Sequence, residues 1–194
     1  MSLFLGIDFG TTGVRTSIID KNIKELINYS VSIDSPISKG PLVYQNPSLW
    51  WSALIKNLTF LKTKIDLNKI DRLSIDGTSG TVLITDHFGN PLDNALMYND
   101  ASAVKESKLV ESISDNHPIV STSTNALVRA LSLINKLKKE KYRILHQADW
   151  IACKIINDYL YSDENNALKL GYDCVERSWP KWFDQLPIEM NSLP

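Results

Sequence analysis

The segment that most constrains this chain is Ile7-Asp8-Phe9-Gly10-Thr11-Thr12-Gly13-Val14-Arg15. The apolar run before it, residues 3–7, has the signature of a strand buried on both faces. Residues 14–20 read as a second strand, so the glycine turn joins strand to strand. A doubly wound nucleotide fold would instead run through its first turn straight into a helix. The spacings GxGxxG and GxxxxGK are both absent from the sequence. What the segment does offer suits a phosphate. Gly10 and Gly13 permit close backbone approach, and Thr11 and Thr12 supply hydroxyls. Asp8, ending the strand, is placed to hold a magnesium ion directly or through its waters. A plain hairpin would explain the glycines and threonines, but not the acid.

A second segment, Ile75-Asp76-Gly77-Thr78-Ser79-Gly80-Thr81-Val82-Leu83-Ile84, echoes the first. If the two leading strands are parallel neighbours, their C-terminal ends share one sheet edge, about 5 Å apart. Ligands of open α/β sheets bind outside such ends; the alternative is a structural turn that only resembles the first. Between them, residues 27–33 alternate as a half-buried strand. Asn46 then caps a helix with Pro47 at its first position, continued by Leu49, Trp50, Ala53, Leu54, Leu58 and Leu61. Further strands are predicted at 82–84 and 142–147, with a hairpin loop at 87–91 returning through 95–98. Leu127, Ala130, Leu131, Ile134 and Leu137 form a helical stripe. Lys136, Lys138, Lys139 and Lys141 read as its solvated end. Asp149 reads as the cap of a helix over 149–157, and residues 162–166 as a solvated loop.

Composition narrows the partners. A net charge of −1 over 194 residues gives no electrostatic case for nucleic acid or an anionic membrane. No run approaches the ~18 apolar residues of a membrane span, and MSLFLGIDFG lacks the basic leader of a signal peptide. Cys153 and Cys174, far apart, read as free thiols of a reducing compartment. The three histidines lack zinc-ligand spacing. A soluble, cytoplasmic protein is expected.

Taken in order, DFGTTGVR, YQNPSLWW, IDGTSGTVL, LMYND, HQADW and NNALKLGYD resemble the FGGY carbohydrate kinases, of the actin, hexokinase and Hsp70 superfamily. The resemblance covers essentially the whole of 1–194, as the first of that family's two domains. The last four motifs look most like the cyanobacterial and plant branch that phosphorylates D-ribulose. The resemblance implies an α/β, ribonuclease H-like fold: a mixed five-stranded sheet in the order 3-2-1-4-5, one strand antiparallel, with flanking helices. It implies transfer of the γ-phosphoryl of ATP, with Mg2+, to a hydroxyl of a small-molecule sugar.

Asp8 would then anchor the metal, while Gly10, Thr11, Thr12, Gly13 and Arg15 cradle phosphates. Asp76, Gly77, Thr78, Ser79, Asn99 and Asp100 would meet the sugar; Asn99 and Asp100 read equally well as the cap of a helix near Ala101. Gly77-Thr78-Ser79-Gly80 stands where xylulokinases carry Gln-Met-His-Gly. That favours a ketopentose kinase for D-ribulose, the alternatives being D-xylulose or a non-catalytic sugar- or phosphate-binding remnant. The family's catalytic aspartate and adenosine site lie in its second domain, after a segment resembling GTTDS that this sequence does not contain. The chain is therefore expected to be the N-terminal piece of a longer kinase, inactive alone. Its interdomain surface could also mediate oligomerisation.

Overall fold

A computed structural model describes residues 2–114, 117, 119–120, 122–137 and 141–193. In chain order the elements are β1 (Leu3–Phe9), β2 (Gly13–Asp20), β3 (Glu25–Ser32), β4 (Ile37–Lys39), β5 (Leu42–Gln45), α1 (Pro47–Lys62), β6 (Ile70–Gly77), β7 (Val82–Thr85), β8 (Ala95–Leu96), α2 (Val104–Ile113), α3 (Ala126–Lys136), β9 (Arg143–His146), α4 (Gln147–Ile156) and α5 (Glu164–Lys169), with short 3-10 turns between some of them. They fall into two compact units: Met1–Pro36 with Asn46–Thr78, and Ile37–Gln45 with Ser79–Pro194.

The first unit is a four-stranded sheet in the order β3-β2-β1-β6. β1 and β6 run parallel, and β2 is antiparallel to both β1 and β3, the single reversed strand that was expected. The expected fifth strand is not found beside β6 among the described residues. The later strands pair instead with each other and with β5, in a separate sheet. β1 also departs from its sequence reading. Leu3, Leu5, Ile7 and Phe9 are buried, whereas Phe4, Gly6 and Asp8 are not, so only one face of the strand is covered. The period-2 geometry of a strand sends alternate side chains to opposite faces, and a short apolar run does not reveal that one face stays open.

Helix α1 packs on β2 and β3. Asn46 caps it by accepting from the Ser48 N–H at 2.9 Å, with Pro47 at the first helical position. Trp50, Leu54 and Leu61 are fully buried; burying side chains of this kind stabilises by about 1.5–3 kcal/mol each. Its one fully buried amide, Asn57, is matched on every side. Its Nδ2 donates to the carbonyls of Val14 at 3.2 Å and Ala53 at 2.9 Å, and its Oδ1 accepts from Thr16 Oγ1 at 3.1 Å. That network fixes β2, and with it the hairpin turn preceding it.

The second unit is an antiparallel sheet in the order β4-β5-β8-β7-β9. α3 runs against β7, its start capped by Asn125, which accepts from the Leu127 N–H at 2.7 Å. Val82, Ile84, Leu127, Leu131, Ile144 and Phe183 form the middle of the core. Residues 162–166, expected as a solvated loop, instead begin α5. Asp163 caps it through the Asn166 N–H, and Asn166 itself is buried. Of the lysine cluster expected after α3, Lys138 and Lys139 lie outside the described residues. Cys153 and Cys174 are free thiols. No helix among the described residues is long and apolar enough to cross a membrane.

Candidate functional site

In the first unit, strand register sets three charged side chains next to one another. Asp8 on β1 stands opposite Asp76 on parallel β6 and opposite Arg15 on antiparallel β2. Directly paired positions project to the same face of a sheet. All three therefore stand on the open face, with the two carboxylates at the C-terminal ends of neighbouring parallel strands. Arg15 Nη1 donates to Asp8 Oδ2 at 2.6 Å, and both side chains remain largely in water. An exposed pair of this kind holds by ~1 kcal/mol or less. It can give way to a more highly charged ligand. Asp76 Oδ1 accepts from the Gly77 N–H at 2.8 Å. A cavity of about 380 Å³ opens on this face, lined by Asp8, Arg15, Ser17, Asn28, Ser74 and Asp76 among others.

The turn between β1 and β2 is closed by its own backbone: the Gly10 N–H donates to the Gly13 carbonyl at 2.9 Å. Thr12 is exposed and Thr11 half-buried, and the Thr12 carbonyl accepts from the Ile33 N–H at 3.0 Å. A Cβ added at Gly10 would fill the space 3.4 Å from the Gly13 oxygen and 3.8 Å from Arg15 Nη1. The bare glycine thus leaves that space free beside the Gly13 carbonyl and the Arg15 guanidinium. Among the described residues no cluster of three or more His, Cys, Asp or Glu could by itself hold a metal. One carboxylate beside a glycine turn nevertheless fits Mg2+. That ion keeps several waters and shares its shell with phosphate oxygens.

The remaining sequence-predicted residues divide by exposure. Gly77 and Thr78, ending the first unit, are half-buried. In the second unit Ser79 and Asn99 are exposed. Asp100 matches neither of the roles read for it. It is fully buried, with Oδ2 accepting from the Val43 N–H at 2.7 Å and Oδ1 from the Ser102 N–H at 3.2 Å and Oγ at 2.9 Å. Helix α2 starts only at Val104 and has no side-chain cap. Asp100 therefore holds β5 to the segment after β8, beneath the exposed Asn99. Asp149 is likewise internal. It stands at the third position of α4 and caps that helix as read, accepting from the His146 N–H at 3.4 Å. It also accepts from Asn166 Nδ2 and Ser162 Oγ, both at 2.8 Å, fastening α5 to α4.

One residue in this region escaped the sequence reading. Arg129 of α3 is 1% exposed, and its guanidinium donates to the carbonyls of Gly80 at 2.6 Å, Tyr98 at 3.0 Å, Asp100 at 3.3 Å and Thr124. Burial pulls its pKa down to about 10, against the opposing pull of Asp100, so it stays charged at neutral pH. The one signal available was a cation inside the stretch Leu127-Val128-Arg129-Ala130-Leu131, where a buried charge must find acceptors.

The comparisons with known proteins agree with the fold. The sequence profile of the FGGY family of carbohydrate kinases, N-terminal domain, matches residues 3–194. The xylulose kinase of Staphylococcus xylosus is 22% identical over 92% of this chain and 39% of its own length. A ribulokinase of Staphylococcus aureus is 25% identical over 93% of this chain and 41% of its own length. The crystal structure of Plasmodium falciparum glycerol kinase with ADP superposes with a TM-score of 0.83 at 19% identity, over 100% of this chain and 42% of that one. The chain thus spans about two-fifths of the length of these relatives. With an actin- and hexokinase-like fold and a family profile covering it almost end to end, the chain belongs to the FGGY family of carbohydrate kinases, where it matches the N-terminal domain.

Proposed function

We propose that this chain supplies the phosphate grip and the acceptor contacts of an ATP-dependent kinase acting on a hydroxyl of a ketopentose, D-ribulose. We propose also that the carboxylate base comes from a second domain beyond this chain. The observation carrying this reading is the in-register trio of Asp8, Asp76 and Arg15 beside the open glycine turn. When bound, MgATP supplies the transferable phosphoryl group and the countercharge for it. Asp8 holds the metal or its water. The turn Gly10-Thr11-Thr12-Gly13 takes phosphate oxygens through the Thr11 and Thr12 hydroxyls and the backbone N–H groups not used to close it, the Gly10 N–H being held by the Gly13 carbonyl. Arg15, a planar fork of donors, answers phosphate charge better than a lysine could. Asp76, Gly77, Thr78, Ser79 and Asn99 orient the sugar, and Asp100 supports Asn99 from below. Such catalysis is mainly positioning and charge stabilisation, which these groups provide without covalent chemistry.

Two relatives named for pentulose substrates support a ketopentose acceptor, and the small side chains of Gly77-Thr78-Ser79-Gly80 are the ground for preferring D-ribulose to D-xylulose. Coupled ADP-release assays on the protein made from the complete reading frame, with D-ribulose, D-xylulose and glycerol, test the proposal. The highest kcat/KM is expected for D-ribulose. A preference for D-xylulose would correct the substrate, and silence toward all three would sink the kinase reading.

A further inference from the structure

The exposed residues assigned to the sugar in the second unit stand on two separate turns, one carrying Ser79 and Gly80 and one carrying Tyr98, Asn99 and Asp100. The side chain of Arg129 touches both. Its Nη2 donates to the Gly80 carbonyl, and its Nη1 donates to the carbonyls of Tyr98 and Asp100. A planar guanidinium imposes fixed angles between its donors, so the spacing of the two turns is set by one rigid group. Gly80 is adapted to this contact. Its φ of 82° is in the left-handed region, and an added Cβ would stand 3.3 Å from Arg129 Nη2.

Stability alone does not account for a cation here. α3 is otherwise apolar along this stretch, with Leu127, Val128, Ala130 and Leu131 fully buried. Replacing a buried ion by a well-packed apolar side chain is often neutral or stabilising. Moreover Arg129 Nε is buried without a hydrogen-bond partner, so the site is fitted to the terminal nitrogens at the expense of the inner one. What an apolar residue could not supply is a defined distance between two loops.

We propose that Arg129 is the positioning residue of the acceptor side of the site, acting through the main-chain carbonyls of Gly80, Tyr98 and Asp100 to hold Ser79 and Asn99 at the spacing a polyol requires. This inference rests on the kinase reading above. Arg129 touches neither substrate nor nucleotide; misplacing positioning groups by an ångström can cost about 100-fold in rate.

The test compares Arg129→Met and Arg129→Lys in the protein made from the complete reading frame, by kinetics and by hydrogen exchange. Arg129→Met is expected to raise the KM for D-ribulose about tenfold while leaving the KM for ATP within about twofold, the split expected when acceptor contacts alone are misplaced. Arg129→Lys, keeping the charge but losing the fork, should fall between wild type and Met. Exchange should speed up together in peptides spanning residues 79–80 and 98–100, and stay unchanged across β1 and β2. If Arg129→Met does not fold, Arg129→Lys carries the same two readouts. An active wild type whose variants show equal changes in both KM values, or unaltered exchange at the two turns, overturns the role of Arg129. A wild type inactive toward every polyol sinks the kinase reading and the acceptor role with it.

Discussion

The turn at 9–13 and the turn at 77–81 each follow one of two parallel neighbouring strands, yet they are held by different means. The first closes on itself, with the Gly10 N–H on the Gly13 carbonyl and an antiparallel ladder on either side. The second has its Gly80 carbonyl fixed by Arg129, a side chain 49 residues later in the chain. A turn held by neighbours can present backbone donors to a ligand without outside help. A turn held by a remote guanidinium keeps its shape only while the rest of its unit is folded. Mutations should therefore act differently on the two: on the first through chemistry, on the second through geometry.

The largest effect expected is at Asp8. Asp8→Asn in the protein made from the complete reading frame should lower kcat by roughly 100-fold or more, the usual scale for losing one electrostatic group at a reacting centre. The melting temperature should barely move, because the residue is half in water and its ion pair with Arg15 is exposed. Turnover at the wild-type rate would make Asp8 structural and erase the contrast. Next in size is the glycine comparison. Gly80→Ala forces a side chain into the left-handed region against Arg129, and should cost about 1–2 kcal/mol of stability. Gly10→Ala meets only ordinary van der Waals contacts, so denaturant unfolding should show a smaller loss. Its mark should instead be weaker MgADP binding by calorimetry. Equal losses of stability in both variants would mean the two turns are built alike after all.

Much of the first turn was legible because its causes are local. Asn46-Pro47 marks the start of α1, alternation marks β3, and an acid closing an apolar strand marks Asp8. What was misread depends on distant partners. The run at 3–7 carries no sign of whether a second layer covers it, and Asp8 and Asp100 are the same letter in similar company. One is open and the other is enclosed by Val43 and Ser102. The fifth strand came from family resemblance, and the described residues do not carry it. β4 and β5, of three and four residues, are too short to show a period. Arg129 was the hardest to foresee because its acceptors are carbonyl oxygens, which every residue has and no letter of the sequence distinguishes.

A smaller effect is expected at Ser79. Its hydroxyl stands on the turn that Arg129 holds, and loss of one neutral hydrogen bond is worth about 0.5–1.5 kcal/mol. Ser79→Ala should thus raise the KM for D-ribulose about two- to tenfold, with the KM for ATP unchanged. Equal changes in both would take Ser79 out of the acceptor site and leave Asn99 to carry it.

The smallest effect concerns a third turn, closed by backbone hydrogen bonds between Asp86, Gly89 and Asn90 and reinforced by one carboxylate. Asp86 Oδ1 accepts from the N–H groups of Phe88 and Asn90, each at 2.9 Å, and Oδ2 from Asn90 Nδ2 at 3.0 Å. Burial tends to raise its pKa, but the hydrogen bonds from Asn90 and Phe88 outweigh this and hold it below the usual carboxylate value. A depressed folded-state pKa means the contribution is whole above about pH 4 and fades as pH falls further, through the folded value. Amide shifts of Phe88 and Asn90 should therefore move as pH falls below about 4. Gly10, whose N–H is held by a carbonyl that does not titrate in this range, should show no matching change. Shifts that stay unmoved below about pH 4 would mean that the carboxylate does not hold this turn, which then closes on its backbone as the first one does.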